Sequence, residues 1–318
     1  MVRPPPCTLR MSVRPGDRRN GSASGYTVAW MAQADTYRAN LECCEMRYRR
    51  VGAGQPVVLV HTLRTQLEYF GALIDEIDRT RYDVIAVDLP GHGESTAPRV
   101  DYTADYFSDA VEALLEHCAL HDVVLVGESI GGSIALILAA RGNPRVQRAV
   151  ALNPYDYGRW GGIRRSSPLN NVIFTTMLWP GAGPLVPYAA TRGMLRLVMA
   201  GGLHDRKNLP QELVDAMHRC GLLPGHPRAF RSLSQQWRSW LAAREKYRSI
   251  ELPVTLAYGQ EDWSLPAERV ANAEAIPGAR AVTLEHAGHF SCLEKPTEIA
   301  SLIVAATGAD DHRPSVLS

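Results

Sequence analysis

A serine at 129, an aspartate at 262 and a histidine at 289 could together perform acyl transfer. Ser129 sits in Val126-Gly127-Glu128-Ser129-Ile130-Gly131-Gly132, a G-x-S-x-G pattern that follows an apolar run at 123–126 and opens an apolar, helix-like segment at 130–141. A sharp turn from strand into helix strains the serine backbone, and small flanking residues let neighbouring chain pass close by. The hydroxyl then stands at a helix N-terminus, where the Ile130 amide can face a developing oxyanion. A serine hydroxyl needs a base to take its proton and a carboxylate to orient that base. Tyr258-Gly-Gln-Glu-Asp262-Trp-Ser-Leu-Pro266 offers the acid just after one apolar run, and Glu285-His286-Ala-Gly-His289-Phe290 offers the histidine just after the next. Glu261 and Asp156 compete for the role of acid, and His286 for that of base.

The elements that must position these residues are legible as alternating periods. Short apolar runs at 56–60, 82–87, 123–126, 254–258 and 281–284 read as strands buried in a sheet, and 145–152 reads as a further strand. A strand-like stretch at 41–51 precedes them. Helical spacing marks 66–79, 103–118 with Thr103 as N-cap, 130–141, 267–276 and 296–306. This alternation predicts an α/β domain, a doubly wound and mostly parallel sheet covered on both faces. Between its two halves, nearly a hundred residues lack a clear strand and show helical segments near 169–179, 188–200, 210–221 and 228–248. The expected organisation is a disordered extension at 1–36, a core formed by 37–154 and 251–308, a helical cap at 155–250, and a tail at 309–318.

On these motifs the chain resembles the α/β-hydrolase family over about residues 41–306. The order Ser129, Asp262, His289 is the family's, and Val87-Asp-Leu-Pro-Gly-His-Gly-Glu-Ser95 is similar to its loop after an early strand. Asp88, Gly91, His92, Gly93 and Ser95 are read there as loop residues rather than catalysts. The resemblance implies that Ser129 attacks a carbonyl, that His289 acts as base and then acid, and that Asp262 fixes the imidazole tautomer. It also implies a second oxyanion amide from the loop after 56–60, by position Leu63. Relatives usually carry His-Gly there, whereas this chain has His61-Thr62-Leu63-Arg64-Thr65, which narrows backbone freedom at Thr62. The block His61–Gln66 resembles a subgroup of uncharacterised bacterial hydrolases.

Arg64, Glu128, Trp263 and Phe290 are expected to contact substrate. Arg64 could anchor a carboxylate, since a guanidinium binds it bidentately, or could be a surface or scaffold arginine. The predicted cap carries 14 Lys/Arg against 5 Asp/Glu over 153–250. Arg159, Arg164, Arg165, Arg192 and Arg196 could attract an acidic substrate or simply form a solvated face. Trp160, Trp179, Trp237 and Trp240 are expected to pack the cap, with one or two lining a pocket.

The 318 residues have a formal net charge of +1 and 21% charged residues, which gives no general argument for nucleic acid as a partner. Six cysteines at 7, 43, 44, 118, 220 and 292 form no CxxC pair or zinc-spaced cluster, so free thiols in a reducing cytoplasm are expected. No apolar run reaches the ~18 residues of a spanning helix. No cofactor or metal is implied, and the expected partner is a small acyl molecule. A serine at 129 disfavours the epoxide hydrolases and haloalkane dehalogenases of this fold, which use aspartate. The expected reaction is therefore carboxylic-ester hydrolysis through an acyl-enzyme. Carbon–carbon bond hydrolysis and a non-catalytic binding protein on the same scaffold are the alternatives.

Overall fold

The computed structural model describes residues 33–158 and 160–307. The expectations for residues 1–32, Arg159 and the tail at 309–318 lie outside the described residues. Eight strands form one sheet: β1 (Asp35–Asn40), β2 (Glu45–Gly52), β3 (Gln55–Val60), β4 (Tyr82–Val87), β5 (Val123–Glu128), β6 (Val146–Leu152), β7 (Val254–Gly259) and β8 (Arg280–Leu284). Their spatial order is β1-β2-β4-β3-β5-β6-β7-β8. β1 and β2 pair antiparallel at one edge, and every pairing from β4 to β8 is parallel. Parallel neighbours require crossovers, and helices supply them. β1 begins at Asp35, two residues inside the stretch expected to be an extension. Tyr37 explains why it pairs: its ring stacks on Tyr48 of β2 at 5.2 Å.

The helices are α1 (Gly71–Glu76), α2 (Ala104–His117), α3 (Ile130–Ala140), α4 (Pro168–Leu178), α5 (Arg192–Ala200), α6 (Gln211–Cys220), α7 (His226–Gln235), α8 (Trp237–Ala243), α9 (Pro266–Ala275), α10 (Ser291–Glu294) and α11 (Pro296–Ala306). Thr103 caps α2 as expected, accepting from the Tyr106 amide at 3.1 Å. α2 and α3 cover one face of the sheet with Phe107, Leu114, Ile134 and Leu138, while α1 and α11 cover the other with Leu73, Ile74, Ile299 and Ile303. The expected helix at 66–79 is shorter, a 3-10 turn at Leu67–Phe70 running into α1.

Helices α4 to α8 form the insertion between β6 and β7. Its last part does not stand apart from the core. Trp240 of α8 is fully buried, with its ring 5.8 Å from Phe107 of α2, and Tyr247 beyond it joins the same apolar layer. Of the four tryptophans expected to pack the cap, only Trp240 is buried. Trp160 and Trp179 are more than half exposed and Trp237 is half-buried. No helix among the described residues is long and apolar enough to cross a membrane.

Candidate active site

Parallel register aligns the carboxyl ends of the strands, so the loops leaving β3, β5, β6, β7 and β8 meet at one edge of the sheet. Ser129 leaves β5 with φ 58° and ψ −116°, a costly backbone for a residue with a side chain. Packing holds it there. Its amide donates to the Leu152 carbonyl at 2.8 Å, and its carbonyl accepts from Tyr155 and Ser133 amides at 3.0 Å each. A Cβ on Gly131 would lie 2.0 Å from the Val60 carbonyl oxygen, and one on Gly127 would lie 2.1 Å from that of Gly131. The motif's glycines are therefore needed for close backbone approach.

His289 Nε2 lies 2.9 Å from Ser129 Oγ, and its Nδ1 lies 2.5 Å from Asp262 Oδ1. Burial alone would raise the Asp262 carboxyl. The charge and hydrogen bond of His289, with donors from Ser264, outweigh it and take the carboxyl down to about 2. An ionised carboxylate only accepts, so Nδ1 carries the hydrogen and the Nε2 lone pair faces the serine. Oδ2 of Asp262 accepts from the Ser264 amide at 2.9 Å, the Ser264 hydroxyl and the Tyr157 hydroxyl at 3.2 Å. The Ser129 hydroxyl, the His289 imidazole and the Asp262 carboxylate thus form one continuous hydrogen-bonded chain.

The competing residues are elsewhere. Asp156 is buried among Tyr247 (3.2 Å) and Asn272 (2.8 Å), and burial pushes its carboxyl up to about 7. Glu261 pairs with His204 at 2.6 Å on the surface, where His286 lies against the same imidazole. Asp88 ties its loop together, accepting from the Leu67 and Glu94 amides at 2.8 Å and from Arg47 at 2.5 Å. Ser95 closes that loop onto the Asp88 carbonyl at 2.8 Å, and a Cβ on Gly93 would collide with the Asp88 carboxylate. His61 is buried and pulled down to about 4. It accepts from the Leu89 amide at 3.0 Å, so Nδ1 is its donor to the Thr62 carbonyl.

Ile130 is the first residue of α3, so its amide has no acceptor within the helix. Leu63 lies in a tight turn, where Thr65 donates its amide and hydroxyl to the Thr62 carbonyl at 3.3 and 2.8 Å. Arg64 follows with φ 66°, a strained value of about 1–3 kcal/mol for a non-glycine residue. Thr62, Leu63 and Arg64 border a cavity over Ser129 and His289 with about 760 Å³ of space unfilled by atoms, part of it open to solvent. Its other walls are mostly apolar, with Phe174, Met177, Val186, Leu195 and Met199 from the insertion. Trp263 and Phe290 line it.

Glu128 does not. Its side chain is wholly buried beneath the serine, bonded to the Tyr69 hydroxyl, to Ser291 Oγ at 2.5 Å and to the Cys292 amide at 3.2 Å. Alternation along β5 explains the correction: residues adjacent to Ser129 point to opposite sides of the sheet. Sequence reasoning missed Tyr157 and Ser264, although each lies in a segment directly after a strand, where site residues gather.

The insertion is fastened to the acid and histidine loops. The Phe290 amide donates to the Gly202 carbonyl (3.2 Å), Trp263 Nε1 to that of Gly201 (3.2 Å), and Arg165 to that of Trp263 (3.1 Å). Arg165 also pairs with Glu268 at 2.6 Å, and Arg192 with Asp215 at 2.7 Å. Arg164 donates to Asn171 at 3.0 Å and stacks on Trp160, while Arg196 donates to Gln211 at 3.0 Å. These arginines of the insertion bond within the scaffold.

The sequence profile of the family described as alpha/beta hydrolase fold matches residues 55–296, and the chain belongs to that family. An uncharacterised protein of Mycobacterium tuberculosis is 24% identical, covering 80% of this chain and 76% of its own length. A 2-hydroxy-6-oxo-2,4-heptadienoate hydrolase of Pseudomonas putida is 27% identical, covering 84% and 94%. Among solved structures, an enol-lactonase from Burkholderia xenovorans superposes with a TM-score of 0.67 at 23% identity, covering 86% of this chain and all of that one.

Proposed function

We propose that this protein is a serine hydrolase that cleaves a carboxylic ester or related acyl bond of a small, largely apolar molecule. The observation that carries the reading is the Ser129–His289–Asp262 relay at 2.9 and 2.5 Å under the cavity. Ser129 Oγ attacks the carbonyl carbon as its proton passes to His289 Nε2. The negative charge on the former carbonyl oxygen faces the amides of Ile130 and Leu63. His289 then returns the proton to the leaving group, and the acyl-enzyme forms. Water, deprotonated by the same imidazole, releases the acid and restores Ser129. Asp262 holds Nδ1 and stabilises the transient imidazolium.

A second reading is hydrolysis of a carbon–carbon bond next to a ketone. It draws support from the heptadienoate hydrolase and from a 2-hydroxymuconate semialdehyde hydrolase of a Pseudomonas strain, also 27% identical. The five cysteines among the described residues are free, which fits the cytoplasm as the location in this reading.

The test is nitrophenol release from p-nitrophenyl esters, acetate to palmitate, by wild type and Ser129→Ala, with a 2-hydroxy-6-oxo-dienoate assayed in parallel. Ester turnover lost in the variant supports the first reading, and turnover of the dienoate alone supports the second. Failure of a fluorophosphonate to label Ser129 would move the protein to the binding class.

A further inference from the structure

The apolar cavity has a cation in its wall. The Arg64 guanidinium is buried, and its Nε, Nη1 and Nη2 meet no hydrogen-bond acceptor among the described residues. Its guanidinium carbon lies 4.8 Å from the centre of the Phe230 ring. Gly221 makes the space for it: a Cβ there would sit 2.6 Å from Nη2. Arg47 shows how the same fold treats a structural arginine, pairing it with Asp88, Glu68 and Glu94 at 2.5, 3.0 and 3.2 Å. Arg64 has no such carboxylate among the described residues. Burial lowers its pKa to about 10, which leaves it charged at neutral pH.

The position of Arg64 is as informative as its lack of partners. It and Phe230 border both the cavity over Ser129 and a narrow neighbouring crevice, whose walls include Thr65, His92, Cys220 and His226. A buried guanidinium without an acceptor is costly, so its retention on the loop next to Leu63 calls for an anion that arrives from outside. Its planar fork of donors matches a carboxylate. The apolar surroundings disfavour a multiply charged group such as phosphate.

We infer that Arg64 binds a carboxylate of the substrate, so that the molecule hydrolysed is an apolar acyl compound carrying one acid group, held on the Arg64 guanidinium while its reacting carbonyl lies at Ser129. The placement of the carbonyl rests on the proposed role of Ser129, whereas the carboxylate site does not.

Binding of hexanoate and its neutral counterpart hexanamide is measured by calorimetry on Ser129→Ala, with and without Arg64→Met or Arg64→Lys. Hexanoate is expected to bind at least about tenfold more tightly than hexanamide. The difference should vanish with methionine and shrink with lysine, which lacks the fork. In wild type, the ratio of kcat/KM for the p-nitrophenyl half-ester of adipate to that for p-nitrophenyl hexanoate should fall about tenfold or more on Arg64→Met. Equal binding of acid and amide, or an undiminished preference in Arg64→Met, overturns the assignment. So does inorganic phosphate competing as well as hexanoate, or failure of both Arg64→Met and Arg64→Gln to fold, which would make the arginine structural. Hexanoate binding that depends on Arg64, together with full ester turnover by Ser129→Ala, would keep the carboxylate site and remove the serine reading alone.

Discussion

The indole of Trp263 lies flat on the imidazole of His289, with ring centres 4.0 Å apart and planes 16° from parallel. Trp263 directly follows Asp262, so one short loop supplies both the carboxylate at the edge of the imidazole and the aromatic face against it. An aromatic face attracts the imidazolium that the proposed proton transfer would form more than it attracts neutral imidazole. Trp263→Leu is therefore expected to lower kcat roughly threefold to thirtyfold, with Trp263→Phe in between. Steady-state kinetics decides it. Equal losses in both variants would point to packing instead.

Asp262→Asn tests the orienting role. The amide cannot both accept from Nδ1 and hold the charge, so kcat should fall by about 10⁴ while the fold persists. A loss below tenfold would argue that His289 is oriented by other contacts.

The Asp262 carboxyl is lowered on folding, so its contribution is present above about pH 4 and disappears as pH falls toward 2. Asp156 acts in the opposite sense. Its carboxyl is raised to about 7, so the folded state holds a proton that the unfolded chain releases near pH 4. Stability should decline as pH rises from about 4 to 7, by up to about 4 kcal/mol. Urea titrations of Asp156→Asn should show that slope removed, and a curve parallel to wild type would refute the assignment.

Gly131→Ala should abolish soluble, folded protein, because its Cβ would meet backbone at 2.0 Å rather than a movable side chain. Gly158→Ala, with nothing within 4 Å of the new methyl, is the control and should melt within a few degrees of wild type. Similar melting of the two would show that the turn can relax.

Local chemistry made much of this readable in the sequence. Ser129, Asp262 and His289 each lie just after a strand whose apolar run is visible by itself, and the G-x-S-x-G glycines report a backbone requirement at the same place. Thr103 could be read as a cap because capping is decided within four residues. Arg64 could be suspected but not judged, since whether a carboxylate faces it depends on Phe230 and Gly221, more than 150 residues away. Glu128 adjoins the serine in sequence, but alternation along β5 turns its side chain beneath the site rather than into the cavity. Asp35 and Thr36 pair through a partner strand that the polar N-terminal segment gives no hint of. The choice between Asp156 and Asp262 likewise needed the third dimension, because both follow strands.

The hydrogen bonds from Phe290 and Trp263 to Gly202 and Gly201 mean that the roof and the proton relay share fasteners. Lifting the roof at that corner would pull on the loops carrying Asp262 and His289. An entrance there would disarm the chemistry each time it opened. The wall segment carrying Val186 and Pro187, with Leu185 and Tyr188 well exposed beside them, is held by none of these bonds, so movement there would leave the relay assembled.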